Sequence, residues 1–123
     1  MYDAYSLLID ILSEAKSEII IIDNYINKEV FDILWNIDRS IIVITKSFDD
    51  ILVQRYIQQY SNVTIKNNNL FHDRYIILDR KTIYISGSAL KDIGKKYSYI
   101  YKINEEMFIE ELIKRVENIV KIN

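Results

Sequence analysis

The chain has 123 residues, of which 50% are apolar and 28% are charged. This length and balance predict one compact domain over residues 1–123 and exclude a disordered chain, which cannot bury enough apolar surface to offset its conformational entropy. No cysteine is present and His72 is the only histidine. We therefore expect no disulfides, no structural metal and no cofactor. The net charge of −2 argues against a protein that coats nucleic acid nonspecifically, because such binding needs many lysine and arginine side chains to neutralise phosphates.

Neither a membrane segment nor a secretion signal is visible in the sequence. Wholly apolar runs, such as residues 19–22, are no longer than four residues, whereas a membrane helix needs roughly 20. The amino terminus lacks a basic stretch followed by an apolar one. We therefore expect a cytoplasmic protein with no membrane partner.

The first half of the chain alternates between helical and strand patterns. Asp3 is a capping residue, and apolar residues follow it at helical spacing up to Ala15. Short β-branched runs predict strands over 18–22, 41–45 and 63–66, with helices over 27 or 28 to 37 and from Ser47 to Tyr60 between them. Strands and helices in alternation predict right-handed crossovers and a parallel sheet.

The second half has a different rhythm. Two β-rich runs, 74–78 and 82–86, are separated by three residues, which predicts an antiparallel hairpin. A loop or short helix over 87–96, a strand over 97–103 and a terminal helix capped by Asn104 follow. The sequence as a whole predicts an α/β fold, with a mixed, mostly parallel sheet flanked by helices on both faces.

Positive charge is concentrated in residues 62–98. This stretch holds seven basic and three acidic residues, a net charge of +4, so the remainder carries −6. A phosphate-bearing ligand would be met here. Chance segregation of charge in a short chain is the alternative interpretation.

His72 and Arg74 lie two residues apart at the start of a predicted strand. In a strand this spacing directs both side chains to one face, about 6 to 7 Å apart. Asp79 follows at the other end of the strand. A carboxylate at that position either forms hydrogen bonds within a turn or binds a partner group. Beyond the next strand, Gly87 and Ser88 offer a hydroxyl and approachable N–H groups suited to phosphate oxygens.

This pattern resembles a known signature. His72-x-Arg74-x4-Asp79 followed by Gly87-Ser88 is similar to the His-x-Lys-x4-Asp and Gly-Ser motifs (HKD motif) of the phospholipase D superfamily, which includes phospholipases, phosphatidyltransferases and metal-independent nucleases. The order of elements agrees over the whole chain. Arg74 takes the place of the family's lysine, and Leu90 stands where many members have asparagine.

The resemblance implies phosphodiester transfer through a covalent phosphohistidine. It implies that His72 is the nucleophile, Arg74 the phosphate-binding cation, Asp79 the carboxylate that orients the histidine, and Ser88 a phosphate-contacting hydroxyl. Gly87 and Lys91 join Arg74 and Ser88 as expected substrate-binding residues. A cation on the nonbridging oxygens offsets the charge of the transition state without a metal. Arginine binds phosphate as a planar fork rather than a point charge, so binding can survive where turnover suffers.

The family uses two histidines per active site, and this chain has one. A homodimer with His72 of each subunit facing a twofold axis is the simplest way to complete the site. Nucleic acid is a likelier substrate than lipid, because the sequence shows neither an amphipathic basic helix nor an exposed apolar lid. A catalytically degenerate module for phosphate binding, nucleic-acid binding or dimerisation is the alternative, and Arg74 and Leu90 favour it.

Three further interpretations come from the sequence. The blocks IIIIDNYI, HDRYIILD and GSALKDIGKK resemble a compact subgroup found at the carboxyl terminus of prophage-type and defence-associated bacterial proteins, which raises the expectation that the chain is part of a longer, phage-related protein. The ten tyrosines could stack on nucleic-acid bases. The favoured interpretation is that they reflect the overall composition of the chain and fill the core. Asp79 taken alone is typical of a hairpin residue that accepts backbone N–H bonds.

Overall fold

A computed structural model describes residues 4–46, 55, 59, 62–90 and 99–121 of the chain. The described elements are, in chain order, α1 (Ala4–Leu12), β1 (Glu18–Ile22), α2 (Lys28–Trp35), β2 (Ser40–Thr45), β3 (Val63–Asn67), β4 (Arg74–Leu78), β5 (Thr82–Ser86), β6 (Ile100–Lys102) and α3 (Glu106–Lys121). The α/β class predicted from the sequence is confirmed. No helix in the described ranges is both long enough and apolar enough to cross a membrane.

The six described strands form one mixed sheet in the order β3-β2-β1-β4-β5-β6. β1 pairs with β2 and β2 with β3 in parallel, whereas β4 pairs antiparallel with both β1 and β5, and β5 antiparallel with β6. The prediction of a mostly parallel sheet is therefore wrong, because three of the five described pairings are antiparallel. The hairpin joins the sheet beside β1 with Ile20 opposite Ile77, and every later strand extends that antiparallel half.

A side-chain cap accounts for the start of α2. α2 begins after Asn27, whose Oδ1 accepts a hydrogen bond from the Val30 N–H at 3.2 Å, as an N-cap residue should.

The last strand spans only Ile100–Lys102, and α3 starts at Glu106, two residues after the expected cap Asn104. The expected cap Asp3, most of the helix expected from Ser47 to Tyr60, and residues 91–98 lie outside the described residues.

The core consists of two apolar clusters that share β1. Ile19 and Ile21 belong to one cluster, together with Leu8 of α1 and Phe31 of α2. Ile20 and Ile22 belong to the other cluster, whose helical members, Leu112, Val116 and Ile119, come from α3. Alternate residues of a strand point to opposite faces, so the run of four isoleucines serves both clusters, as expected for a central strand.

Candidate active site

The residues of interest meet at one end of the sheet, which we call the Arg74 edge. It is the end where β1 finishes before Asp23, β4 begins at Arg74 and β5 finishes at Ser86. Arg74 lies directly opposite Ser86 in the β4/β5 ladder. His72 precedes Arg74 by two residues and Ser88 follows Ser86 by two, so both residues leave the sheet at this edge.

His72 and Arg74 are available to a ligand at the Arg74 edge. The His72 side chain is exposed and the Arg74 side chain is half-buried. With the described residues, neither the imidazole nor the guanidinium makes a hydrogen bond or an ion pair. A guanidinium that has no carboxylate partner among the described residues, two residues after an exposed imidazole, suits an anionic ester.

The backbone that carries His72 is anchored although its side chain is exposed. The preceding residue, Phe71, is buried in the α3-containing cluster, and its ring lies 4.9 Å from the guanidinium carbon of Arg115. Its carbonyl oxygen accepts a hydrogen bond from Asn24 Nδ2 at 2.8 Å. These contacts fix the approach of the chain to β4, and a fixed approach limits the positions that the imidazole reaches.

The loop over residues 86–90, here the 86–90 loop, is held by its own hydrogen bonds. Ser86 Oγ donates to the Ser88 carbonyl at 2.7 Å and accepts the Ser88 N–H at 3.4 Å. The Gly87 N–H donates to the Tyr99 carbonyl at 2.8 Å. The sequence had predicted approachable N–H groups here, but in this structure those of Gly87 and Ser88 have acceptors within the chain.

The aromatic ring of Tyr99 lies close against Gly87. A Cβ atom built at this position would lie 2.5 to 2.8 Å from three atoms of the Tyr99 ring, closer than side-chain atoms approach one another. The glycine at the family-like Gly-Ser position therefore makes room for Tyr99 in this chain.

Asp23 is a residue of this edge that sequence reasoning missed. Its side chain is 0% exposed, and its carboxylate accepts the Tyr25 N–H at 2.9 Å and the Leu90 N–H at 2.6 Å. The carboxylate thus ties the end of β1 to the 86–90 loop. An acidic residue placed directly after four buried isoleucines was the available signal, because a buried carboxylate needs partners.

Asp79 lies at the opposite end of β4 from His72. Asp79 comes seven positions after His72, which at about 3.3 Å per residue amounts to up to roughly 23 Å. Its carboxylate accepts the N–H groups of Lys16, Ser17 and Glu18 at 3.0, 2.8 and 3.0 Å, and the Ser17 hydroxyl at 2.9 Å. The structure therefore does not bring Asp79 to His72, and Lys91 lies outside the described residues.

The β4–β5 turn contains strained backbone that side-chain bonds offset. Asp79 and Arg80 have φ angles of 56° and 54°, a region that residues other than glycine adopt at a cost. The Lys81 N–H closes the turn by donating to the Leu78 carbonyl at 3.0 Å. Arg80 forms ion pairs with Glu18 at 2.7 Å and Glu117 at 3.0 Å. The turn is thereby linked to both β1 and α3.

We expect Asp79→Ala to lower the thermal unfolding midpoint by about 5 °C or more, because three backbone N–H groups lose their acceptor. The same hydrogen bonds hold the pKa of Asp79 well below its ordinary value of 3.8. A carboxyl with a lowered folded-state pKa stabilises the fold above its ordinary pKa and loses that contribution as the pH falls. The difference between wild type and variant should therefore be largest near neutral pH and shrink below about pH 4, which calorimetry at several pH values measures. A difference independent of pH would contradict this role.

Comparisons with known proteins give a likeness of fold. No family model matches the chain, and no curated protein matches it in sequence. Among solved structures, NucT from Helicobacter pylori superposes with a TM-score of 0.68 at 13% identity, covering 96% of this chain and 87% of NucT. TrmBL2, described as an archaeal chromatin protein with a novel mode of DNA binding, superposes with a TM-score of 0.56 at 16% identity, covering 94% of this chain. The chain spans 47% of the length of TrmBL2.

Proposed function

We propose that this chain is a phospholipase D-like phosphodiesterase that cleaves nucleic acid without a metal ion. The observation that carries the proposal is the pair His72 and Arg74 at the start of β4, unpaired among the described residues and beside the 86–90 loop. The fold likeness to NucT supports a phospholipase D-like fold. The DNA binding described for TrmBL2 is consistent with a nucleic-acid substrate.

The proposed reaction has two displacements at phosphorus. An imidazole nitrogen of His72 attacks the phosphorus, and the bond from phosphorus to the leaving oxygen breaks as the phosphohistidine bond forms. The Arg74 guanidinium binds the nonbridging oxygens and offsets their charge. The partner subunit's His72 protonates the leaving oxygen, then removes a proton from the water that displaces His72. Asp79 takes no part in this scheme; it supports the β4–β5 turn.

A symmetric dimer supplies the second histidine, since the sequence contains one. We expect a solution mass of twice the 14.7 kDa chain, measured by light scattering, and a specific activity that falls when dilution separates the subunits. A monomeric mass together with full activity at every dilution would contradict the shared site.

We also infer that helices cover both faces of the sheet. α1 and α2 share a cluster with Ile19 and Ile21, whereas α3 shares a cluster with Ile20 and Ile22. Because these two pairs of side chains leave β1 on opposite sides, the helices that contact them belong on opposite sides as well.

The substrate class is tested in EDTA. The purified protein is incubated with single-stranded DNA, duplex DNA, RNA, a phospholipid and a chromogenic phosphodiester. Hydrolysis of a nucleic acid under these conditions supports the proposal, while hydrolysis confined to the phospholipid overturns the choice of substrate. Loss of all hydrolysis in EDTA that added Mg²⁺ restores would overturn the metal-independent mechanism.

A noncatalytic phosphate-binding module is the second candidate, and Leu90 is the observation that favours it. Where many family members carry an amide side chain, this chain has a leucine that is 0% exposed and belongs to the core. The site therefore lacks one polar group of the family pattern. Binding of nucleic acid without turnover, equal in wild type and in His72→Ala, would favour this candidate over the enzyme.

A further inference from the structure

Lys102 is an exposed lysine at the end of the edge strand β6. Its ammonium group lies 5.8 Å from the centre of the Tyr84 ring and forms no ion pair with a carboxylate of the described residues. The carboxylate of Glu14 accepts the hydroxyl of the same tyrosine at 2.8 Å. Lys102 is therefore a cation that no described carboxylate contacts directly.

Lys102 and Arg74 project from the same face of the sheet. Arg74 is opposite Ser86, and Ser86 is opposite Ile100, so these three side chains share a face. Lys102 comes two residues after Ile100, and alternate residues of a strand return to the same face. The ring contact agrees with this placement, because Tyr84 is opposite Lys102 in the β5/β6 ladder. One face of the sheet therefore carries both cations.

A short segment of nucleic acid spans the distance between the two cations. β5 alone lies between β4 and β6, which places them about 9.6 Å apart across the strands, and the two residues along β6 add about 6.6 Å at right angles to this. The Cα atoms of Arg74 and Lys102 are thus roughly 12 Å apart. Two or three nucleotides of an extended strand cover this distance, and each nucleotide brings one negative charge.

The side chains between the two cations are only partly covered. Tyr84 and Ile100 are half-buried, and both pack against the apolar cluster of α1 and α2 with their inner parts. Their remaining surface is open to solvent on the face that Arg74 and Lys102 share. A strand that follows this surface meets one cation at each end.

We infer that Lys102 binds a second phosphate of a nucleic-acid strand whose scissile phosphate lies at Arg74. The inference rests on the proposed function and deepens it, because a site with two phosphate positions selects a polynucleotide over an isolated diester. The net charge of the chain is −2, so general attraction of a polyanion is weak and discrete contacts supply the affinity. An ammonium group binds phosphate as a point charge, which suits a contact that reads no base.

The test measures the affinity for a fluorescent single-stranded oligonucleotide by anisotropy at several salt concentrations. Loss of one phosphate contact on a single strand lowers the slope of log affinity against log salt by about 0.7. We expect this decrease for Lys102→Gln, with an affinity about three- to tenfold lower at about 50 mM salt. Lys102→Arg keeps the charge and should keep the wild-type slope. Arg74→Gln should lower the slope by a similar amount, and the double variant by about twice as much.

Lys114→Gln is the matched control, since Lys114 is an exposed lysine of α3, the helix that belongs to the other apolar cluster. It makes the same change in net charge and should leave the slope unchanged.

The outcomes separate this inference from the proposed function. If Arg74→Gln lowers the slope and Lys102→Gln does not, the inference fails, the Arg74 edge stands, and Lys102 only hinders pairing of an edge strand. If Lys102→Gln lowers the slope and Arg74→Gln does not, the strand does not pass Arg74, and both fail. If wild type binds the strand through both residues but hydrolyses it in no buffer, the catalytic proposal fails while the two phosphate contacts stand.

Discussion

Replacement of His72 by alanine is expected to reduce phosphodiester hydrolysis by about a thousandfold or more. In the proposed scheme both displacements use this imidazole, in one subunit as the nucleophile and in the other as the acid, and loss of a covalent nucleophile has effects of this size. The fold should persist, because the His72 side chain is exposed and makes no bond with the described residues. Initial rates in EDTA and thermal unfolding midpoints of both proteins measure the two expectations.

A trapped intermediate gives a second measurement of the same prediction. Wild type quenched during turnover should carry a covalent adduct on His72 in which the phosphate is still esterified to the retained part of the substrate. This adduct is detectable by mass spectrometry and labile in acid, and the alanine variant should carry none. Asn69→Ala is a suitable control, since Asn69 is an exposed residue of the same loop, and it should keep both the adduct and the rate. Hydrolysis at the wild-type rate by the His72 variant would show that the imidazole is not the nucleophile.

The strands of the first half were predictable because their residues allow few alternatives. Four consecutive isoleucines cannot form one face of a helix, so residues 19–22 indicated a strand buried on both sides, and the two clusters that share β1 agree with that interpretation. The hairpin was also visible from its spacing. Its neighbour in the sheet was not, because the pairing of Ile20 with Ile77 joins residues 57 positions apart, and nothing in the hairpin itself selects β1 over β3.

The candidate site was predictable only where the contacts are local. The two-residue spacing of His72 and Arg74 indicated a shared location, and the register with Ser86 adds the 86–90 loop to it. Asp79 has the spacing of the family motif, yet its partners, Lys16 to Glu18, lie more than 60 residues away in the sequence. Distant partners of this kind leave no periodic signal, so the pattern alone could not separate a catalytic carboxylate from a structural one.

Asp23→Ala should lower both stability and activity, because the carboxylate is a positioning residue for the 86–90 loop. Removing it leaves the buried Leu90 N–H and the part-buried Tyr25 N–H without their acceptor, and a buried unsatisfied N–H costs about 1–3 kcal/mol. We therefore expect the free energy of unfolding, measured in urea, to fall by about 3 kcal/mol. The substrate affinity should fall as well, because the loop that carries Ser88 loses its attachment to β1.

Asp23→Asn separates the two effects. One amide oxygen can still accept a hydrogen bond, but the amide nitrogen faces a second N–H donor and repels it. The asparagine variant should therefore lie between wild type and the alanine variant in stability. If the loop depends on the bond to Leu90, the variant's KM should rise while its kcat changes little, because Asp23 supports phosphate binding and does not contact phosphorus. An alanine variant as stable as wild type would mean that water or another residue satisfies both N–H groups, and the loop would then owe its position to the Gly87–Tyr99 contact instead.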